Sequence, residues 1–185
     1  MRKLPKIIDQ KTVANSKLFS IEQVHLEFAN GTKRIFERIN PNIIQFGAVM
    51  IVPVTSDKQF ILASEYAVGT EKYELSLPKG AIDENETPEM AANRELQEEI
   101  GVGAKELHLL GRLTASPNFF TAAMDIVLAK NLFPATLPGD EPEPIEAIYC
   151  SIDEIDHLIS QQKITEARSI AALYLAMQWL IKNEG

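Results

Sequence analysis

The segment 86-ETPEMAANRELQEEIG-101 constrains the fold of this chain more than any other. Thr87 and Pro88 mark a helix start. A threonine oxygen accepts hydrogen bonds from the free N–H groups of a first turn, and proline suits the first helical position. Gly101 fits just past the C-terminal end, where a left-handed residue closes a helix. Between them Ala92, Leu96 and Ile100 recur every four residues and form a core-facing stripe. Glu95, Glu98 and Glu99 stand at i, i+3 and i+4 and share one face. At about 100° per residue that face lies beside the apolar stripe, not opposite it. A fold that buries this helix therefore carries the carboxylates along a cleft at the edge of its core.

Like charges at this spacing repel by a few tenths of a kcal/mol per pair in water (about 0.3), and by more when partly desolvated. Arg94 offsets only part of this. A hard divalent cation offsets it well, because Mg²⁺ and Mn²⁺ prefer carboxylate oxygens, and Mg²⁺ also binds through substrate phosphates. Such a site points to phosphoryl or pyrophosphoryl chemistry. The alternative is a plain solvated helix face.

The remaining sequence narrows the class. With 185 residues the chain fits one domain, or one domain with a small appendage, and can bury a core. An apolar fraction of 45% and a charged fraction of 24% are those of an ordinary globular protein. No apolar run is long enough to cross a membrane. The N-terminus is basic but has no apolar h-region, so it does not read as a signal peptide. With Cys150 as the single cysteine, no intramolecular disulfide forms, and a cytoplasmic protein is expected. The net charge of −8 argues against non-specific nucleic-acid binding, yet a local cation can still draw small anionic substrates. Cys150 lies in an expected strand and reads as a buried hydrophobe. His25, His108 and His157 have neither metal nor triad spacing.

Residues 1–17 are mixed and expected to be only partly ordered. Strand patterns at 18–28 and 32–39 flank Asn30-Gly31, a hairpin turn signal, and Asn40-Pro41-Asn42 reads as a linker. The run 46-FGAVMIVPVT-55 predicts a buried strand. Further strands are expected at 59–67, 107–116, 124–132 and 146–152, with a short helix at 152–162 and a longer one at 165–182. Ile170, Leu173, Met177, Leu180 and Ile181 stripe the last helix. Strands mixed with few helices give an α+β or layered helix–sheet–helix class.

Spacing adds more. Residues 80-GAIDENETPEMAANRELQEEIGV-102 resemble the Nudix box, G-x5-E-x7-R-E-U-x-E-E-x-G-U with U aliphatic. Gly80, Glu86, Arg94, Glu95, Leu96, Glu98, Glu99, Gly101 and Val102 match every specified position. The resemblance implies an α/β/α sandwich around a mixed sheet, with the box as loop–helix–loop. It implies an N-terminal segment and β-hairpin over 1–42 and a Nudix domain over 43–185. It also implies hydrolysis of a nucleoside diphosphate linked to another group, with Mg²⁺ or Mn²⁺ as cofactor. By position, Glu95 and Glu99 are the implied principal ligands, Glu98 a further ligand or holder of a water, and the Lys79 carbonyl an additional ligand. Arg94 orients the glutamates and Glu86 braces the loop.

Segments outside the box resemble the ADP-ribose pyrophosphatase branch. The hairpin is similar to an element that builds a homodimer there, and 114-TASPNFF-120 is similar to another element of that branch. In 139-GDEPEPIEAIY-149, similar to an acidic loop of the branch, Glu141 aligns with a catalytic base and Glu143 with a last metal ligand. The segments 22–39, 65–75 and 138–144 extend the likeness to hydrolases that split ADP-ribose, NADH and short diadenosine polyphosphates to AMP. Two places depart. Glu65-Tyr66-Ala67 stands where many members carry Gln-Tyr-Arg, and 74-ELSLPKG-80 stands where many carry ELPAG. Arg34 and Arg38, with Lys33, are candidates for contacting substrate phosphates, or are simple solubility residues. Phe119 and Phe120 are placed either on adenine or in the core. Other sugar nucleotides such as GDP-mannose, or a nucleotide sensor without turnover, are the competing functions. The intact box speaks against the sensor.

Overall fold

The computed structural model describes residues 2–42 and 46–184. The chain forms two compact units, one running through Gly47 and including Thr114–Ala123, the other comprising Ala48–Leu113 and Met124–Gly185.

The first unit is a three-stranded antiparallel sheet, β1 (Lys6–Asn15), β2 (Phe19–Glu27) and β3 (Lys33–Pro41), in the order β1-β2-β3. The β2–β3 pair is the expected hairpin. Its turn is closed by hydrogen bonds between Phe28 and Thr32 and between Gly31 and Phe28. Two expectations are corrected. Residues 6–15 are not loosely ordered, because Lys6–Asn15 pairs with Ser20–Glu27 of β2 with two register shifts. All ten residues of β1 are exposed, so no apolar alternation announces it; backbone pairing alone makes it a strand. Nor are Asn40 and Pro41 linker residues. They extend β3 opposite Ser20 and Phe19, with the proline at the strand end, where a missing N–H is tolerated. Residues 114–123 return to this sheet, where the Ile39 N–H donates to Phe119 O at 2.7 Å and the Thr121 N–H to Ile39 O at 3.1 Å.

The second unit is layered around β4 (Ala48–Pro53), which is buried at every residue. β4 pairs in parallel with β9 (Ala123–Pro134) and antiparallel with β7 (Lys79–Ala81), so the sheet β7-β4-β9-β8 is mixed; β8 is Val102–Thr114. A second sheet has the order β10-β5-β6, from Glu146–Ser151, Gln59–Ala67 and Lys72–Ser76. Strand side chains alternate between faces. Val49 and Ile51 of β4 pack with Ala91, Ala92 and Leu96 of α1 (Pro88–Glu99). Met50, on the opposite face, lies against Ser169 of α3 (Ala167–Glu184). This two-sided cover explains the unbroken apolar run and gives the α/β/α layering. The last expected strand leads through a 3₁₀ turn, Ile152–Glu154, into α2 (Ile155–Ser160). No helix among the described residues is long and apolar enough to cross a membrane.

Candidate active site

The helix at the centre of the sequence reading forms as its ends dictate. The Met90 N–H donates to the Thr87 hydroxyl at 3.2 Å, Pro88 opens the helix, and Gly101 closes it at φ +69°. The Leu96 edge is buried and draws Glu95 with it, leaving this carboxylate residue only 9% exposed. Such burial of an acid needs partners, and Arg94 is the main one. Its Nε donates to Glu86 at 2.9 Å, its Nη1 to Glu95 at 2.7 Å and Glu98 at 2.9 Å, and its Nη2 to Glu86 at 3.0 Å and Ala81 O at 2.8 Å. A guanidinium has five N–H donors, and these contacts engage all of them. Glu86 also accepts from the Asp83 N–H at 3.0 Å, so it fastens the loop to the helix. Its bonds from Arg94 hold its carboxyl below the usual range.

Gly80 lies directly over Glu95. A Cβ built there would fall inside the Glu95 carboxylate, so only glycine leaves room for it. One residue earlier, the Lys79 N–H donates to Glu99 at 3.2 Å. This segment is anchored further by Ile51 N–H to Pro78 O at 2.8 Å and by Leu77 N–H to the Ser169 hydroxyl at 3.0 Å. The opposite rim is the loop beyond β9. The Leu137 N–H donates to Gln97 O at 3.0 Å and the Ala135 N–H to Gly101 O at 3.1 Å, so the chain end of α1 receives partners and residues 138–141 are brought to the cleft.

The result is a cleft of about 470 Å³ lined by six carboxylates, Asp83, Glu95, Glu98, Glu99, Asp140 and Glu141, against two cations, Lys79 and Arg94. Burial pushes Glu99 up to about 8, against the opposing charge of Lys79. Glu95 is raised by burial despite Arg94, and Glu141 by burial and by the charges of Glu65 and Asp140. These acids are short of positive charge.

Residues 45–173 match the NUDIX domain, and residues 5–38 match the NudE-type Nudix hydrolase N-terminal domain. The chain belongs to the Nudix hydrolase family. It is 46% identical over 181 residues to "ADP compounds hydrolase NudE" of Escherichia coli K12, covering 98% of this chain and 95% of that protein. To "ADP-ribose pyrophosphatase" of Bacillus subtilis 168 it is 27% identical, covering 94% and 96%. A crystal structure of an ADP compounds hydrolase superposes with a TM-score of 0.91 at 43% identity, covering 100% of this chain and 98% of that one.

Nudix hydrolases work with divalent metal ions, and the residues here fit one in chemistry. Hard carboxylate oxygens line a partly buried cleft, burial raises the proton affinities of Glu95 and Glu99, and Gly80 keeps Glu95 unobstructed. Among the described residues no three candidate ligands are gathered tightly round one point. Arg94 Nη1 holds Glu95 and Glu98 together, and the Lys79 N–H holds Glu99.

Of the residues singled out in the sequence, Lys79, Arg94, Glu95, Glu98, Glu99 and Glu141 line this cleft. Glu143 does not; it accepts from the Tyr73 hydroxyl at 2.6 Å. Arg34, Arg38 and Phe119 belong to the first unit. There the Arg38 Nε donates to Glu22 at 2.8 Å, Arg34 bonds the Lys33 carbonyl, and Phe119 is half exposed, while Phe120 meets Phe19 edge-on. Sequence reasoning missed Asp83 and Asp140 in the lining, and Glu65, whose carboxylate holds the Lys79 ammonium at 2.5 Å. The acidic run 139-GDEPEP-144 was a signal for Asp140. No local signal paired Glu65 with Lys79. Cys150 is buried and its thiol is pushed up to about 11 by burial, which suits an inert core residue.

Proposed function

We propose that the chain is a metal-dependent pyrophosphohydrolase of ADP compounds, cleaving ADP-ribose, NADH and short diadenosine polyphosphates to AMP and a phosphorylated product. The observation that carries this reading is the full-length likeness to an enzyme named for ADP compounds, at 46% identity with the acid cleft intact. In this reading Glu95, Glu99, Glu98 and the Lys79 carbonyl hold Mg²⁺ or Mn²⁺, and Glu143 joins them by leaving Tyr73. The ions, when bound, supply charge neutralisation and Lewis acidity at the pyrophosphate.

The remaining work falls to the chain itself. Arg94, with every donor spent on protein acceptors, positions Glu95 and Glu98 and makes no substrate contact. Glu141 accepts the proton of the attacking water; its raised proton affinity suits a general base. Water adds at phosphorus, the P–O–P bridge breaks, and AMP departs. Arg34, Arg38 and Phe119 are assigned to the substrate, with Arg38 exchanging its Glu22 partner for phosphate. The chain works as a cytoplasmic homodimer with no nucleic-acid or membrane partner. Exposed Ile7 and Phe36, which fall on one face of the first unit's sheet, support the dimer, because a second copy covers apolar side chains of this kind well.

One assay decides. The protein is incubated with Mg²⁺ and ADP-ribose, NADH, diadenosine triphosphate or GDP-mannose, and the products are identified. AMP from the adenine substrates is expected. Turnover of GDP-mannose alone would replace this reading with a sugar-nucleotide one, and tight binding without products would make the domain a sensor.

A further inference from the structure

The two cations of the cleft are not equivalent. Arg94 has no N–H left to offer. Lys79 donates from its ammonium to Glu65 alone among the described hydrogen bonds, at 2.5 Å, and an ammonium carries three N–H groups. The pair sits at the rim, with the Lys79 and Glu65 side chains 24% and 32% exposed, so a ligand in the cleft can reach it. The main chain of Lys79 is occupied separately, its N–H holding Glu99.

Resting on the reading that this cleft takes a pyrophosphate, we propose that the Lys79 ammonium, tethered by Glu65, donates to a non-bridging oxygen of the substrate's pyrophosphate. Glu65 is then a positioning residue. Three features of the cleft carry this. Six carboxylates face an anionic substrate, so every available donor matters, and Lys79 holds the only uncommitted charged ones among the described lining residues. A lysine ammonium is a compact charge with rotatable donors, suited to a phosphate oxygen whose position shifts during reaction. The tether also has a reason. Glu99 and Glu141 both feel the Lys79 charge. An untethered ammonium would settle on those carboxylates and compete with the metal for them. Glu65, on β5 and outside the box, holds it off.

The probe is methylenebisphosphonate, a non-hydrolysable P–C–P unit, titrated calorimetrically into the full chain with Mg²⁺. Lys79→Ala and the longer Lys79→Met keep the backbone N–H and carbonyl, and thermal melts check that they fold. Binding should weaken about tenfold or more in both, as for loss of a charge-assisted hydrogen bond, and Lys79→Arg should recover part of it. Glu65→Gln should weaken it less. Mn²⁺ affinity measured without the diphosphonate should stay level or rise in Lys79→Ala, because a competing cation is gone. Three results overturn the proposal: diphosphonate affinity within twofold of wild type in Lys79→Ala, Mn²⁺ affinity falling by the same factor as diphosphonate affinity, or no diphosphonate binding by the wild type. A wild type that binds the diphosphonate through Lys79 but turns over no adenine substrate sinks the proposed function and leaves this inference standing.

Discussion

The two long helices on either side of β4 do different jobs with similar burial. α3 buries Ser169, Ala172, Leu173 and Ala176, and its one buried polar side chain is satisfied on both sides: the Ser169 hydroxyl accepts from Leu77 and donates to Glu166 at 2.8 Å. α1 buries Ala91, Ala92, Leu96 and the acid Glu95, and burial raises the proton affinities of Glu95 and Glu99. One helix is built so that every group is content. The other carries two carboxylates, Glu95 and Glu99, that burial penalises, and the proposed metal would relieve that penalty.

The largest test of this contrast is Glu99→Gln. It should lower turnover by about two orders of magnitude or more while the melting temperature holds or rises, since a raised carboxyl is exchanged for a neutral amide. Activity that survives would show that α1 holds no essential ligand at this position. Next is Leu173→Ala on α3, where the fully buried side chain predicts a loss of about 2–5 kcal/mol in denaturant unfolding. Turnover per folded molecule should be unchanged; a drop in it would mean the two helices are not separable in role. Gly80→Ala should produce the opposite pattern. The new methyl meets the mobile end of Glu95, not backbone, so that carboxylate shifts and the fold absorbs it. We expect activity to fall by up to about a hundredfold with little change in melting temperature.

The smallest effect is at the start of α3. Burial alone would raise the Glu166 carboxyl, but hydrogen bonds from Arg168 and Ser169 outweigh it and hold it below the usual range. A depressed folded pKa stabilises above the unfolded value, near 4.3, and that contribution fades as pH falls through the folded value. The melting-temperature gap between wild type and Glu166→Gln should therefore be widest near neutral pH and close below about pH 4. A gap that stays constant on acidification would contradict the assignment.

What could be read from the sequence follows the same division. α1, β4, β5 and α3 announce themselves because burial imposes a period on their side chains, and Thr87 and Gly101 punctuate α1 chemically. β1 is silent because nothing in it is buried, and β7 because three residues, Lys79–Ala81, carry no period. The cleft was legible where its residues share a helix turn or a fixed spacing. Glu65 and Lys79 meet only because β5 and β7 are folded into one unit, a juxtaposition written in topology and not in any local pattern.

The bare α-carbon of Gly80 has a consequence for inheritance. Every other amino acid carries a Cβ, so no substitution at this position is neutral for the Glu95 carboxylate above it. Yet the change disturbs a side-chain tip and spares the backbone. A lineage that replaces glycine here is expected to keep its fold while its Glu95 carboxylate is displaced.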